Sequence, residues 1–389
     1  MVVAAVAMLA LVALPGAAAS SSPPALTKER LYELARQRPY GTPVRLDVPG
    51  VPMPSVLTDS GVVVGTTRVD DVERPFRWRD GGTELLPSRD AGWASVVDVN
   101  ERGQVLVLNH FWAGTSRAIV WQPDGTVVPV GAPGEWTSVN GINDHGVVVG
   151  VHVVATREAA HLATWQDGVV TELQTPGGRP VAAATTHAIN SRGDVAGTVT
   201  LPDGRTRGYV WRDDVATELP APADAWVTVD RITDSGDVVG EVSGAVVLWE
   251  DGRRLRDVDR NDRFDLRVAD VNAHGVVVGT AGTYLNAPVR SDRRGVAAVL
   301  PGLGSEDGVA NAVHDLDVVV GASGITSPLP VMWVMTVPVP LGLRVGGEQA
   351  TGGWAVDVNR RGQVVGWLFT VRPGGVSHSV VIWDLVPRR

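Results

Sequence analysis

The chain of 389 residues contains no cysteine. Disulfide frameworks, Cys-ligated zinc ions, thiol nucleophiles and lipid-modified N-terminal cysteines are therefore excluded, and a chain of this length can bury a sizeable core without cross-links. Lysine is nearly absent too, because Lys28 is the only one and arginine supplies the other positive charges. The formal net charge of −9 argues against a broad phosphate-binding surface, so we expect no nucleic-acid partner.

Long apolar runs are missing as well, except at residues 1–19. That run ends in Ala17-Ala18-Ala19 before Ser20, which is typical of a signal peptide and predicts a mature chain that begins near Ser20. An uncleaved membrane anchor is the alternative, but the run is short for a span of ~20 residues and Pro15-Gly16 interrupts it. We therefore expect a secreted, extracellular or cell-envelope protein with no stable membrane span.

Residues 20–40 are predicted to form a polar linker and a short helix. The helix is expected from Thr27 to Gln37, with Thr27 as its N-cap and with Leu31 and Leu34 on one face. Nothing in this segment indicates chemistry.

The rest of the chain is repetitive. An apolar residue, a polar turn that contains glycine and a Val-rich run recur together, as in Ile142–Gly150 and Ile189–Gly197. This pattern defines eight units of about 43 residues. Their turn positions are Gly61, Gly103, Gly146, Gly193, Gly236, Gly275, the degenerate Asp317, and Gly362.

Each unit is predicted to contain four short antiparallel strands, which is the size of one propeller blade. The turn glycine joins the first two strands, and a second turn, often Asp-Gly, joins the last two. The third strand ends in tryptophan in seven units, where a large ring suits packing between blades. These residues are Trp78, Trp121, Trp165, Trp211, Trp249, Trp333 and Trp383. The predicted fold is an all-β, eight-bladed β-propeller over residues 41–389.

The two ends of the repeat array predict how the ring closes. After Trp383 too few residues remain for a fourth strand, while residues 41–50 match residues 125–134, the fourth-strand region of another unit, in their turn residues. We therefore expect an N-terminal strand to complete the last blade. Closure removes the exposed edges that promote association, so a monomer is expected.

From residue 42 onward the sequence resembles the secreted bacterial HAF repeats. Their unit pairs an Asn-Asp-x-Gly-x-Val-Val-Gly turn with a His-Ala-Phe-Leu-Trp strand. Here the turn and the tryptophan are kept, whereas the histidine is kept only in His161–Trp165. The resemblance implies export and repetition, and it carries no activity or catalytic residues to transfer.

Functional residues are expected in loops held by the rigid blades. Four tryptophans lie near the start of first strands, which normally line the central channel: Trp93, Trp136, Trp226 and Trp354. They predict an aromatic, ligand-binding rim at the channel mouth that suits a glycan or a protein. Packing between blades is the alternative. His145 and His274 occupy exposed turn positions, where a ligand role is not expected.

First strands also carry carboxylates, at Asp98, Asp230, Asp270 and Asp357. A hydrolase or lyase that acts on extracellular polysaccharide would need two such groups at a defined separation. Repeated aspartates near turns also commonly accept hydrogen bonds from turn amides. We assign no catalytic residue, because no serine nucleophile elbow, zinc-binding helix or phosphate loop is present.

One acidic loop has the residue spacing of a short calcium loop. Its oxygen ligands would come from Asp257, Asp259, Asn261 and Asp265. The sixth position is Asp262, where glycine is usual, and the alternative is a solvated loop neutralised by neighbouring arginines. We predict no required cofactor and a structural Ca²⁺ ion at this loop.

Three functions are compatible with these features. The first is a secreted, non-catalytic scaffold that binds a glycan or a protein outside the cell. The second is the polysaccharide hydrolase or lyase, and the third is a structural protein of the cell envelope.

Overall fold

The structure is a computed structural model that describes residues 27, 40–86, 93–111, 116–132, 135–153, 160–175, 183–259, 265–282 and 286–385. Within these ranges the chain forms 34 strands and no helix. The expected signal peptide and, apart from Thr27, the expected short helix lie outside them. No helix in the described ranges is long and apolar enough to cross a membrane.

Eight antiparallel sheets of four strands each form the blades, numbered 1 to 8 along the chain. Blade 1 contains β2 (Val51–Leu57), β3 (Val63–Val69), β4 (Val72–Arg79) and β5 (Gly82–Leu85). Blade 2 contains β6 (Trp93–Val99), β7 (Val105–His110), β8 (Ser116–Trp121) and β9 (Val127–Pro129). Blade 3 contains β10 (Trp136–Ile142), β11 (Val148–Val153), β12 (Ala160–Gln166) and β13 (Val169–Glu172). Blade 4 contains β14 (Ala183–Ile189), β15 (Val195–Thr200), β16 (Thr206–Arg212) and β17 (Val215–Glu218).

The second half of the ring repeats this plan. Blade 5 contains β18 (Val227–Ile232), β19 (Val238–Val242), β20 (Ala245–Glu250) and β21 (Arg254–Asp257). Blade 6 contains β22 (Leu266–Val271), β23 (Val277–Ala281), β24 (Ala287–Ser291) and β25 (Ala297–Val299). Blade 7 contains β26 (Gly308–Val313), β27 (Val318–Ser323), β28 (Leu329–Val334) and β29 (Val337–Pro340), and a small hairpin of β30 (Arg344–Val345) and β31 (Glu348–Gln349) follows it.

Blade 8 is built from both ends of the described chain. Its strands are β32 (Gly352–Val358), β33 (Gln363–Arg372), β34 (Gly375–Asp384) and, at the outer edge, β1 (Val44–Arg45). Val44 pairs with Ile382, and the Tyr40 hydroxyl donates to the Leu385 carbonyl at 2.6 Å. The predicted all-β propeller of eight blades and its closing N-terminal strand are both confirmed.

The turns form where the sequence allows a left-handed backbone. Asp80 and Gly81 have φ of 51° and 85°, and Asp251 and Gly252 have φ of 49° and 66°. Two consecutive positive φ angles define the type I′ turn, whose twist matches that of antiparallel strands. The Asp-Gly sequence therefore fixes the hairpin between the third and fourth strands of a blade.

The repeated tryptophans pack between blades. Six of the seven are at most 5% exposed, and Trp78 of blade 1 is partly buried. The indole N–H of Trp249 in blade 5 donates to the carbonyl of Pro220, which follows blade 4, at 2.8 Å. Each such ring fills space that one blade cannot close alone, so these residues are architectural.

Candidate functional site

The first strands of neighbouring blades contact one another around the axis of the ring and form the wall of a central channel. Every first strand carries a register shift of one residue, as between Val96 and Asp98 and between Ala355 and Asp357. Such a bulge redirects the side chain that follows it. We call the end of the ring with the turns between first and second strands the turn face, and the end where first strands begin the rim face.

The aspartates that follow these bulges join one blade to the next. Asp98 of blade 2 accepts hydrogen bonds from the backbone N–H groups of Val99 at 2.8 Å and of Ile142 in blade 3 at 2.9 Å. Asp357 of blade 8 accepts one from Leu57 of blade 1 at 2.8 Å. Burial is the largest influence on both carboxyl groups and raises the pKa of each to about 6, against the lowering effect of the amide hydrogen bonds.

Asp270 of blade 6 repeats the arrangement, since it accepts from the backbone N–H of Val313 in blade 7 at 2.9 Å. Burial raises its pKa as well, while the charge of Arg231 in blade 5 lowers the pKa of all three aspartates. These carboxylates therefore bind backbone amides, as the structural interpretation of the sequence expected. Asp230, beside Arg231, is exposed.

At the turn face, one arginine reaches into the channel mouth. The guanidinium of Arg360 in blade 8 lies 3.3 Å from Asp59 of blade 1, 3.4 Å from Asp234 of blade 5 and 3.4 Å from Asp315 of blade 7. It borders a cavity of about 280 Å³. Because its partners come from three different blades, this side chain lies across the axis and ties opposite parts of the ring together.

The turns around this mouth follow a period of two blades. From each even-numbered blade, the side-chain amide of the turn asparagine donates to the turn carbonyl of the following odd-numbered blade. These pairs are Asn100 to Asn143, Asn190 to Thr233, Asn272 to His314 and Asn359 to Thr58, at 2.8 to 3.1 Å.

A second hydrogen bond follows the same alternation. The backbone N–H of the residue after that asparagine donates to an aspartate in the next blade, and the four pairs are Glu101 to Asp144, Ser191 to Asp234, Ala273 to Asp315 and Arg360 to Asp59, at 2.7 to 3.0 Å. In odd-numbered blade 3, by contrast, the buried side-chain nitrogen of Asn143 has no hydrogen-bond partner among the described residues.

The rim face exposes aromatic rings instead. Trp226, just before β18, is 56% exposed, and Trp93, at the start of β6, is 49% exposed. The ring of Trp93 stacks on His110 with the centroids 3.6 Å apart and the planes 15° from parallel. His110 therefore covers one face of the Trp93 indole and holds the indole in place.

The other two tryptophans of the expected rim are placed differently. Trp136 is only 3% exposed and belongs to the core between blades 2 and 3, with its ring tilted against His152. Trp354 is partly buried and stacks on Trp367 with the centroids 4.5 Å apart. The burial of Trp136 matches the packing alternative, so we leave it out of the candidate ligand surface.

The sequence analysis did not identify the pair of Ser116 and His110 beside Trp93. The Ser116 hydroxyl lies 3.0 Å from His110 Nδ1, and burial lowers the pKa of His110. Within the described ranges no hydrogen bond joins His110 to a carboxylate, so the pair lacks the third member that would orient the imidazole. The cross-strand pairing of Trp93 with His110 is the signal that links this histidine to the rim.

The predicted calcium loop is only partly described. Asp257 is the last residue of β21, Asp259 and Asp265 flank the gap in the description, and Asn261 lies outside the described residues. In the ranges that are described, no three His, Asp or Glu side chains are grouped to hold a metal ion. The calcium site stays a prediction. His145 and His274 are exposed in their turns.

No protein-family model matches the chain, and no curated protein matches it. Among solved structures it is similar to one from a structural and mechanistic analysis of two prolyl endopeptidases, with 11% identity, a TM-score of 0.55, and coverage of 90% of this chain and 57% of that one. It is similar to dipeptidyl peptidase 4 of Porphyromonas gingivalis, with 10% identity, a TM-score of 0.54, and coverage of 92% and 60%.

A third similar structure is the β-propeller domain of the Trilobed protease from Pyrococcus furiosus, with 14% identity, a TM-score of 0.49, and coverage of 66% of this chain and 86% of that one. The chain thus spans less than two thirds of the length of the first two proteins. At these identities the likeness shows a shared fold alone. Its eight four-stranded blades define this protein as a β-propeller.

Proposed function

We propose that this protein is a secreted, non-catalytic scaffold that holds an extracellular glycan or protein on its rim face. The observation that carries the proposal is the exposure of Trp93 and Trp226 at the channel mouth. Six of the seven repeat tryptophans are buried, so exposure of these two indoles is not a general property of the chain's tryptophans. Exposed aromatic rings on a rigid wall are what a binding surface needs.

The surroundings of Trp226 favour a ligand with both apolar and polar groups. Thr228, Asp230 and Arg267 are exposed on the neighbouring first strands of blades 5 and 6. A sugar ring presents C–H groups to an indole face and hydroxyl groups to hydroxyl, carboxylate and guanidinium partners. This combination supports a glycan as the ligand, with polar side chains that fix its orientation.

The hydrogen bonds of the channel carboxylates support the non-catalytic part of the proposal. Asp98 and Asp357 direct their oxygens to backbone amides of their own and the following blade. A general acid or nucleophile must instead reach the substrate. These residues are better suited to stabilising the ring than to turnover.

A glycan array and a polysaccharide turnover assay on the chain from Ser20 onward test the proposal. We expect binding without turnover, and we expect the double variant Trp93→Ala/Trp226→Ala to lose binding while it keeps the wild-type melting temperature within a few degrees. Val169→Ala/Val215→Ala is the matched control, because both valines are exposed on fourth strands away from the channel. Turnover by the wild type, or full binding by the tryptophan variant, would contradict the proposal.

The secreted location has its own test. If residues 1–19 are a signal peptide, N-terminal sequencing of the exported protein gives a chain that begins near Ser20. A start at Met1 in membrane-associated material would favour the uncleaved anchor instead.

A further inference from the structure

The hairpin of β33 and β34, which we call the blade-8 hairpin, extends beyond the rest of its sheet at the rim face. Both of its strands have 10 residues, whereas no other strand in the described ranges has more than eight. Strand β32 pairs with β33 only as far as Phe369, so Thr370 and the residues after it pair with β34 alone. At its end the blade-8 hairpin is therefore a ribbon of two strands.

One face of the blade-8 hairpin carries hydroxyl groups and cations. Thr370 lies opposite Ser377 across the hairpin, and Ser379 is two residues further along β34. Because side chains alternate between the two faces of a strand, Thr370 and Arg372 lie on the face of both serines. Arg45 of β1 continues this face, since it pairs with the residue two positions after Ser379.

The other face of the blade-8 hairpin is held by stacked rings. His378 stacks on Trp367 with the centroids 5.2 Å apart and the planes 15° from parallel. Trp367 stacks in turn on Trp354 of β32. These contacts fix the hairpin to the first strand of the blade, so the polar face has a rigid support.

The small hairpin of β30 and β31 lies beside the polar face and encloses a cavity of about 150 Å³ with it. The small hairpin contributes Val345 and Glu348 to the lining. The blade-8 hairpin and β1 contribute the polar side chains, which are those of Arg45, Thr370, Arg372, Ser377 and Ser379. A water molecule occupies ~30 Å³ in the liquid, so the cavity has room for a group of about five non-hydrogen atoms, such as sulfate or phosphate.

The charged groups of this cavity have an excess of positive charge. Arg372 forms an exposed ion pair with Glu348, which is the only carboxylate of the lining. Among the described residues, Arg45 pairs with no carboxylate, and no hydrogen bond engages the three hydroxyl groups of the lining. One guanidinium and three hydroxyl groups are thus available to a ligand.

This charge is opposite to that of the whole chain and of the cavity at the turn face. The chain has a formal net charge of −9. The charged residues that line the turn-face cavity are five acids and one base, namely Asp59, Glu101, Asp144, Asp234, Asp315 and Arg360. A cavity that gathers positive charge in an acidic protein favours an anionic ligand at that place.

We propose that the cavity between the blade-8 hairpin and the small hairpin binds a tetrahedral oxoanion, as free phosphate or sulfate or as their ester on a larger molecule. The Arg45 guanidinium supplies charge-assisted hydrogen bonds, and the hydroxyl groups of two strands donate from other directions. Arg372 can add a second guanidinium, because an exposed ion pair such as that with Glu348 contributes little stability. The site does not include Trp93 or Trp226, so it does not depend on the proposed function.

Calorimetric titration of the full chain in a low-salt buffer without phosphate or sulfate tests the site. The probes are inorganic sulfate, inorganic phosphate, glucose 6-sulfate, glucose 6-phosphate, glucuronate and glucose. We expect saturable binding of the four oxoanion probes, binding of glucuronate at least about tenfold weaker because a planar carboxylate reaches fewer of the donors, and no binding of glucose. Equal affinity for free and esterified anions identifies a free ion as the ligand, and tighter esters identify a larger molecule.

Two variants and a control locate the binding. Arg45→Gln should weaken sulfate binding at least about tenfold, since it removes the guanidinium that has no carboxylate partner. Glu348→Gln should strengthen it about threefold, because it removes the carboxylate of the lining and releases Arg372. Arg344→Gln is the matched control, because it makes the same change of charge on β30 but lines a neighbouring cavity of about 440 Å³ instead. Its affinity should stay within about twofold of the wild type.

Three outcomes overturn the proposal. The first is the absence of saturable sulfate or phosphate binding up to about 10 mM. The second is glucuronate that binds as tightly as glucose 6-sulfate. The third is equal weakening by Arg45→Gln and Arg344→Gln, which would reduce the effect to general charge attraction. If Arg45→Gln disturbs ring closure and lowers the melting temperature, Thr370→Val/Ser379→Ala replaces it, and wild-type affinity in that variant has the same meaning.

Discussion

The two faces of the ring use their side chains in opposite ways. At the turn face, charged and amide groups of different blades contact one another, as Arg360 does with Asp59, Asp234 and Asp315. At the rim face, Trp93 and Trp226 present large apolar surfaces to solvent. The turn-face contacts come from positions of the repeat, whereas the exposed rings are present in only some blades. The ion pairs and amide hydrogen bonds that join turns of different blades therefore lie at the turn face, whereas the rim face presents exposed aromatic surface.

The largest effect should come from the closing strand, on which both faces depend. Deletion of residues 20–50 removes β1 and Tyr40, and with them the outer edge of blade 8 and the contact to Leu385. We expect loss of soluble monomer in size-exclusion chromatography, because the exposed edge of β34 would pair with other chains. A truncated chain that stays monomeric and melts like the full one would show that closure is unimportant.

The next comparison lies within blade 5, which has one buried tryptophan, Trp249, and one exposed tryptophan, Trp226. Trp249→Ala should lower the free energy of unfolding by about 3–5 kcal/mol, because it empties a fully buried site between blades. Trp226→Ala should change it by less than about 0.5 kcal/mol, as is usual for exposed positions. Chemical denaturation measures both, and similar losses in the two variants would remove the distinction between core and rim.

The pH dependence of stability tests the buried carboxylates near the turn face. Because the folded state raises the pKa of Asp98 and Asp357 from 3.8 to about 6, it holds protons that the unfolded chain releases. Their contribution to stability is present below pH 4 and is lost as the pH rises through 6, a change on the order of 3 kcal/mol for each of the two carboxyl groups. Denaturation curves from pH 4 to 7.5 should show this decline.

The double variant Asp98→Asn/Asp357→Asn should reduce that decline, since neither amide titrates, while Asp270, whose pKa burial also raises, should keep its share. Asp167→Asn, in an exposed turn, should leave it unchanged. An identical decline in the double variant would mean that other groups cause it.

The smallest effect is expected at the mouth of the channel. Arg360→Ala should cost about 1 kcal/mol, because its ion pairs are numerous but solvent-exposed, and added salt should reduce the difference from the wild type. Arg360→Lys should recover part of the loss. A salt-independent loss would instead indicate that the side chain acts through packing.

The architecture could be predicted because its signals recur in all or nearly all of the blades. Turn glycines and third-strand tryptophans mark all or nearly all of the units. The closing strand is recognisable because its turn residues match those of the fourth-strand region of another unit. The bonds between blades could not be predicted in the same way. Asp98 finds its partner Ile142 44 residues away, and only two other blades have aspartate at that position.

The candidate site was predictable only in part. Trp93, Trp136 and Trp226 share one offset from their turns, yet Trp136 is buried while the other two are exposed. The offset fixes the position of each indole along its first strand. The second strand of the same blade and the neighbouring blade determine whether that indole is buried.

The alternation of turn hydrogen bonds between even and odd blades bears on how such a ring arises. If two adjacent blades, rather than one, are the module that was copied, the protein is a fourfold assembly of blade pairs 2–3, 4–5, 6–7 and 8–1. Gene duplication would then enlarge the ring two blades at a time, to six, eight or ten. A lone inserted blade would place two turns of the same kind side by side, and the backbone N–H of an even-numbered blade's turn would then face a turn without the accepting aspartate. In the last of the four pairs, blade 8 and blade 1 come from opposite ends of the repeat array. That pair therefore forms only when the ring closes.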